Sequence, residues 1–178
     1  MIDRARNGPG SAARLHCRTA VPARWRPWLL DSGSLTERLR AASGGDLRVR
    51  VLSQRWARPR LEERRALRLG AGQRALIREV LLLGRGEPWI HARSVLPLGL
   101  LRGRYRFLAQ LGERPLGALL FRDPTLRRGP IQVERRPVPA LPGLELPPGA
   151  LAWERRSLFH LAERPLLVAE MFLPGFKP

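Results

Sequence analysis

Apolar and polar residues alternate along several stretches of the chain, and this period of two is typical of half-buried β-strands. Residues 47–56 (LRVRVLSQRW) show it most clearly, with apolar side chains set between arginines. Residues 77–97 (IREVLLLGRGEPWIHARSVLP) read as two strands joined by a tight turn centred on Arg85 and Gly86, because glycine favours the backbone of such turns. A second predicted hairpin covers residues 151–174 (LAWERRSLFHLAERPLLVAEMFLP).

A helical period appears between these strands. Apolar residues at i, i+3 and i+4 predict a short amphipathic helix within residues 22–31. Ser34 is followed three residues later by Glu37, which is the spacing of a capping box, so a second helix is predicted to begin there and to end at residues 43–45 (SGG). Two more helical segments are predicted between the hairpins, at residues 99–112 and 114–121.

Antiparallel hairpins and short helices in a chain of 178 residues predict one α+β domain with a single antiparallel sheet. Residues 1–20 have no periodicity and are interpreted as a loose N-terminal leader, so we expect the domain over residues 21–178. Residues 137–149 contain many of the prolines and predict a surface loop.

The formal net charge of +18 raises the expectation of a nucleic-acid or anionic-surface partner. Lys177 is the only lysine, however, and the arginines are scattered over every segment instead of forming one stripe. No motif of a nucleic-acid-binding module accompanies them. We therefore expect no nucleic-acid partner.

Neither secretion nor membrane insertion is indicated. The first twenty residues are polar and basic and lack the apolar stretch of a secretory signal, and no window offers the roughly 18 apolar residues that span a bilayer. Cys17 is the only cysteine, which excludes an intrachain disulfide. A cytoplasmic protein without stable membrane insertion is the prediction, and we expect a monomer.

Two arginines face each other in the predicted register of the first hairpin. With the turn at Arg85 and Gly86, Arg78 lies opposite Arg93 on one face of the sheet. Like charges directly opposite each other repel, and covering them adds a desolvation cost. A carboxylate bound between them would relieve both, since the guanidinium fork matches a carboxylate with two parallel hydrogen bonds.

The second hairpin has the same layout. Residues 88–97 and 165–174 align without gaps between two prolines, so that Glu170 falls at the place of Arg93. Glu170 interrupts an apolar run and would need a partner if buried, and the register puts Arg155 opposite it. The sequence therefore groups two arginines and one glutamate as a candidate anion site.

A simpler interpretation stays open. These arginines and Glu170 could form a solvated face with ordinary cross-strand ion pairs, each of which contributes little. His91 has no second histidine, cysteine or carboxylate at metal-ligand spacing, so we interpret it as a packed histidine and predict no metal site.

Four motifs together resemble the chorismate pyruvate-lyase family. They are WLLDSGSLTERL, IREVLLLGRGEPWIHARSVLP, LGERPLGALLF and ERRSLFHLAERPLLVAEMFLP, and the similarity runs from about Trp25 to Pro174. The resemblance implies a single antiparallel sheet flanked by helices that enclose one ligand pocket. It also implies removal of pyruvate from chorismate to give 4-hydroxybenzoate for ubiquinone biosynthesis, with neither metal nor cofactor.

The resemblance also implies roles for individual residues. Arg78 would grip the ring carboxylate, and the backbone of Leu116 would contact the same end of the ligand. Glu170 would lie at the hydroxyl end, as general acid or polar anchor. Arg93 would hold the enolpyruvyl carboxylate or stabilise the departing oxygen. Leu35 stands where the family usually has a methionine, and helical flaps around it and Leu116 would close over the ligand.

Other classes of function remain alternatives. Ligand-binding domains of a transcription-factor family share this fold, so a non-catalytic sensor is one. A basic module associated with RNA or DNA is another, which would show steep salt dependence of polyanion binding. The third is a relative that forms 3-hydroxybenzoate from the same substrate.

Overall fold

Seven strands form one sheet in the computed structural model, which describes residues 16–17 and 20–178. Their order across the sheet is β1-β5-β6-β7-β4-β3-β2. The two-residue β1 runs parallel to β5, and all other pairs are antiparallel. The strands are β1 (His16–Cys17), β2 (Leu47–Ala57), β3 (Ala75–Gly84), β4 (Glu87–Pro97), β5 (Arg127–Pro137), β6 (Leu151–Leu161) and β7 (Arg164–Phe172).

Short helices lie against this sheet, so the predicted α+β class with a single antiparallel sheet flanked by helices is confirmed. The α-helices are α1 (Arg26–Leu29), α2 (Leu35–Ala42), α3 (Leu61–Leu67) and α4 (Leu116–Leu120), and 3-10 helices cover Ala23–Trp25 and Gly103–Gln110. The predicted start of α2 is confirmed, because Ser34 Oγ accepts a hydrogen bond from the Glu37 backbone N–H at 3.3 Å. The Glu37 carboxylate pairs with Arg40 instead of returning to the cap.

The predicted leader is only partly described. His16–Cys17 form β1 beside β5, and the rest of the prediction for residues 1–19 lies outside the described residues. The surface loop predicted at residues 137–149 is mostly exposed, as expected, and its buried residue Leu141 packs with Leu81 and Leu173.

The sheet separates two different layers, because side chains alternate between its faces. On the first face, β3, β4 and β7 present Val80, Ile90 and Phe172 to α1 and α2, and β4 and β7 present Leu96 and Val168 to α4. On the second face, α3 and segment 137–149 cover other residues of the same strands. Each strand therefore contributes to two distinct environments.

The register predicted for the first hairpin is wrong beyond the turn. The turn itself is confirmed, with positive φ at Arg85 and Gly86 and with Gly84 opposite Glu87. A β-bulge at Trp89 then shifts the pairing by one residue, so that Leu82 lies opposite Ile90. As a result Arg93 lies opposite Glu79, and Arg78 lies opposite Ser94.

The bulge has a packing cause. The ring of Trp89 lies across Gly84, so close that a Cβ built on Gly84 would be 2.3 Å from ring carbons. The same ring packs edge-on against Phe176, with 5.6 Å between ring centroids. A one-residue shift moves a side chain to the other face of a sheet, so Arg78 and Arg93 face away from each other. In the second hairpin the prediction is confirmed, since Arg155 lies opposite Glu170.

Candidate active site

A narrow cavity lies between the first face of the sheet and the two helices α2 and α4. Its volume is only about 40 Å³. Side chains of β3, β4, β6 and β7 form its floor, and α2 and α4 form its roof. Most of the lining is apolar; the charged residues in it are Arg78, Arg155 and Glu170.

Arg78 is a buried cation whose hydrogen bonds go to neutral oxygens. Its guanidinium donates to Gln54 Oε1 at 3.1 Å, to the Gly112 carbonyl at 2.8 Å and to the Arg114 carbonyl at 3.4 Å. No carboxylate of the described residues lies within ion-pair distance of it. Burial lowers the pKa of Arg78. A buried charge without a counter-ion is costly, so this end of the cavity suits an anion.

The other end of the cavity contains a compensated pair. Arg155 is 2% exposed, and its Nε donates to Glu170 Oε2 at 2.6 Å. Its Nη1 donates to the carbonyls of Trp28 at 2.9 Å and Asp31 at 3.2 Å. Arg155 therefore fixes the Glu170 carboxylate in the lining and ties it to the turn that precedes α2.

The roof is formed where α2 and α4 approach closely. A Cβ on Gly117 would lie 2.6 Å from Thr36 Oγ1, so the two helices touch here through a glycine. Leu35 and Leu116 flank this contact and both line the cavity. The structure thus brings Leu35, Arg78, Leu116 and Glu170 together around one narrow cavity.

Arg93, the remaining predicted site residue, lies outside this cavity on the second face of the sheet. Its Nε and Nη2 donate to Glu63 at 2.6 and 3.1 Å, and its Nη1 donates to Glu79 at 2.6 Å. Burial alone would lower the pKa of Arg93, but the hydrogen bonds and charges of these two glutamates raise it. The expected position of Arg93 beside Arg78 is therefore incorrect, because of the bulge at Trp89.

A second cavity of about 300 Å³ opens on this opposite face. Besides Arg93 and Glu63, its walls include His91 and Glu154, which are 6% and 8% exposed. His91 Nε2 and Glu154 Oε1 have no hydrogen-bond partner among the described residues. Burial lowers the pKa of His91.

Sequence reasoning missed Arg128 on β5 and the glutamates that bind Arg93. Glu63 belongs to a segment that reads only as a polar connector, and Glu79 meets Arg93 because the bulge in β4 moves Arg93 to the face of Glu79. Nothing in the pattern of residues 125–136 distinguishes Arg128 from its exposed neighbour Arg127.

Residues 16–17 and 20–178 contain no group of three or more His, Cys, Asp or Glu side chains placed to hold a metal ion. Within the same residues, no helix is long and apolar enough to cross a membrane.

The fold and the narrow cavity beneath α2 and α4 describe the architecture of the domain, and comparison with known proteins identifies its family. The model of the family described as chorismate lyase matches residues 18–176. A probable chorismate pyruvate-lyase of Methylococcus capsulatus is 46% identical over 152 residues, which covers 83% of this chain and 93% of that protein. One from Aromatoleum aromaticum is 46% identical over 165 residues, with 88% of each chain covered. The chain belongs to the chorismate lyase family.

Solved structures show the same fold in another functional setting. The ligand-binding domain of a putative GntR-family transcriptional regulator from Bordetella bronchiseptica has a TM-score of 0.53 at 24% identity, covering 74% of this chain and 86% of that one. A GntR-family regulator from Bacillus cereus has a TM-score of 0.55 at 11% identity, covering 75% and 96%. At these identities the likeness concerns the fold alone.

Proposed function

We propose that the protein eliminates pyruvate from chorismate and leaves 4-hydroxybenzoate, without a metal or cofactor. The observation that carries this proposal is Arg78, a buried cation with only neutral partners at the end of a closed apolar cavity. Such a site suits a ring with a carboxylate at one end. The cytoplasm and ubiquinone biosynthesis, the expected setting, fit the family to which the chain belongs.

The reaction is an elimination. The ring loses the proton at C4 and the enolpyruvyl ether bond at C3, and the departing group leaves with a proton as pyruvate. Because the remaining ring becomes aromatic, the free energy of the reaction itself is favourable. The protein's contribution is orientation and stabilisation of charge.

Four residues of the cavity lining orient the substrate and stabilise its charge. Arg78 binds the ring carboxylate, and the backbone at Leu116 contacts the same end. Glu170, held by Arg155 at 2.6 Å, lies at the end of the ring that carries the hydroxyl and the breaking C–O bond. Leu35 packs on the ring from α2. The cavity of about 40 Å³ is narrow, so α2 and α4 separate to admit the substrate.

Turnover tests the proposal directly. Purified protein, treated with a chelator, is incubated with chorismate, and the products are separated by chromatography. We expect 4-hydroxybenzoate and pyruvate in equal amounts. Formation of 3-hydroxybenzoate would instead indicate the related activity, and tight chorismate binding without any product would indicate a sensor.

Replacement of Arg78 tests the anion-binding end. Arg78→Ala should weaken 4-hydroxybenzoate binding by about 2–5 kcal/mol, as expected for a carboxylate that loses its buried partner. Isothermal titration calorimetry measures this change. Arg50→Ala, at an exposed arginine on the neighbouring strand β2, is the control and should bind like the wild type. An unchanged affinity in Arg78→Ala would exclude this role for Arg78.

A further inference from the structure

The proposed substrate has two carboxylates, and the cavity lining accounts for one of them. Arg78 is available for the ring carboxylate. Arg93 was expected at the second, but it lies across the sheet and is neutralised by Glu63 and Glu79. Arg155 is already paired with Glu170. A different cation on the first face is needed for the enolpyruvyl carboxylate.

Arg128 lies next to the Glu170 end of the cavity. The lining extends across the sheet from β3 to β6, and β5, which carries Arg128, is the following strand. The Arg128 guanidinium is 5.0 Å from the ring centroid of Phe159, which lines the cavity. Its Nε donates to Ser157 Oγ at 3.0 Å. Arg128 therefore packs against the wall of the cavity from the neighbouring strand.

Carbonyl groups of the turn before α2 accept hydrogen bonds from one terminal nitrogen of the Arg128 guanidinium but not from the other. Arg128 Nη1 donates to the carbonyls of Asp31, Ser32 and Gly33 at 3.3, 3.0 and 3.3 Å. Nη2 is buried and has no hydrogen-bond partner among the described residues. A buried N–H donor without a partner is costly, and a ligand oxygen would satisfy it.

The net positive charge at the Glu170 end of the cavity also favours binding of an anion. Arg155 and Glu170 neutralise each other, and Arg128 adds a positive charge that no carboxylate in the described part of the chain contacts within 4.0 Å. Burial and the neighbouring Arg155 lower the pKa of Arg128 to about 10, so it stays protonated at neutral pH. Arg78 and Arg128 thus share one property: both are arginines near the cavity that are bonded only to neutral acceptors.

We propose that Arg128 binds the enolpyruvyl carboxylate of the substrate through Nη2, while Arg78 binds the ring carboxylate. This inference rests on the proposed function. The substrate is a dianion, and its two carboxylates then bind two arginines. The product keeps a single carboxylate, which binds Arg78 and leaves Arg128 without a ligand. Arg128 is therefore the residue that distinguishes substrate from product.

The test compares substrate and product in the same variants. Arg128→Gln should raise KM for chorismate by about 30-fold or more, the loss typical of an unpaired buried charge. Its Kd for 4-hydroxybenzoate, measured by calorimetry, should stay within about threefold of the wild type. Arg78→Gln should weaken both ligands. Arg127→Gln is the matched control, because Arg127 is adjacent in sequence but exposed and paired with Glu163, and it should change neither constant.

A lysine variant separates binding from folding. Arg128→Lys keeps the positive charge and loses the planar guanidinium group. It should therefore raise KM for chorismate less than Arg128→Gln does, again with unchanged affinity for 4-hydroxybenzoate. It also provides the measurement if Arg128→Gln does not fold. A purely structural role for Arg128, as an anchor of residues 31–33, would weaken substrate and product equally.

The possible results distinguish a wrong assignment of Arg128 from a wrong proposed function. Equal losses for both ligands, or no loss for chorismate, would overturn the assignment of Arg128 while leaving the lyase reaction intact. A wild-type protein that forms no 4-hydroxybenzoate would contradict the proposed function, and the assignment of Arg128 would be rejected with it.

Discussion

The buried arginines of the described chain fall into two groups according to their partners. Arg93 and Arg155 are buried against carboxylates at 2.6 Å, so their charges are compensated inside the protein. Arg78 is equally buried but bonds only to an amide and to carbonyl oxygens. Because a buried charge needs compensation, the first group serves the fold and the second is available to a ligand.

Glu154 presents the reverse case, a buried carboxylate that is poorly compensated. Its Oε1 lies 3.7 Å from Arg136 Nη1, an ionic contact that is too long for a hydrogen bond. Burial raises the pKa of Glu154, and the charges of Arg136 and Arg156 oppose that rise only in part. The folded protein therefore holds this proton more tightly than the unfolded chain does.

Where the folded state binds more protons, stability falls as pH rises, here from the ordinary glutamate value of 4.5 upward. Glu154→Gln removes this loss, so the variant should match the wild type near pH 4 and exceed its free energy of unfolding by about 1 kcal/mol at pH 7. Urea denaturation at both pH values measures the difference.

The exposed Glu145 supplies the control for this prediction. Glu145→Gln should change stability little at either pH, because a solvated carboxylate has no desolvation cost to remove. A Glu154→Gln protein that is less stable than the wild type at pH 7 would mean that attraction to Arg136 outweighs burial.

Among the secondary-structure elements, the β3–β4 hairpin determines which side chains reach the cavity. Its bulge depends on the contact between the Trp89 ring and the bare backbone of Gly84. Gly84→Ala places a methyl group within the ring, so the ring must move from its packing against Phe176. We expect a loss of about 1–3 kcal/mol in the free energy of unfolding, as for other overpacked sites, and a red shift of tryptophan fluorescence.

Gly72→Ala is the matched glycine control, since a Cβ at Gly72 would meet nothing within 4 Å. Its stability and fluorescence should remain those of the wild type. If Gly84→Ala also behaves like the wild type, the Trp89 contact does not determine the bulge.

The same hairpin shows how far sequence reasoning reaches. The period of apolar residues predicted β2, β3, β4, β6 and β7, and the Arg85-Gly86 turn and the Arg155–Glu170 pairing were predicted correctly as well. The position of Arg93 was not, because a bulge depends on the three-dimensional packing of Trp89 and leaves the alternation of the sequence unchanged. Leu35 and Leu116 came from family motifs, since their periodicity alone marks them only as helix-face residues.

At the scale of the whole molecule, the charge of +18 acts on stability. Arginines are exposed on several elements, so like charges repel more strongly in the folded state than in the expanded chain. Salt screens such repulsion with a Debye length of about 10 Å at 0.1 M. Thermal unfolding in about 20 and 200 mM NaCl should therefore give a higher Tm at the higher concentration.

Choline chloride at equal ionic strength is the control, and it should raise Tm by a similar amount if general screening is the cause. A Tm that falls with salt would show that the surface ion pairs, such as Arg127 with Glu163, contribute more than the overall repulsion subtracts.

The back-to-back arrangement of two unlike cavities on the same strands restricts how the chain can change in length. Removing or adding one residue within β4 would carry Arg93 into the apolar cavity and turn Ala92 and Ser94 toward Glu63. Both cavities would then lose the side chains that line them, although the amino-acid composition of the chain would hardly change. Residues 138–149 of the proline-rich segment belong to no strand of the sheet, and a change of length there leaves the strand alternation intact. Insertions and deletions during divergence should therefore accumulate in that segment and be excluded from the central strands.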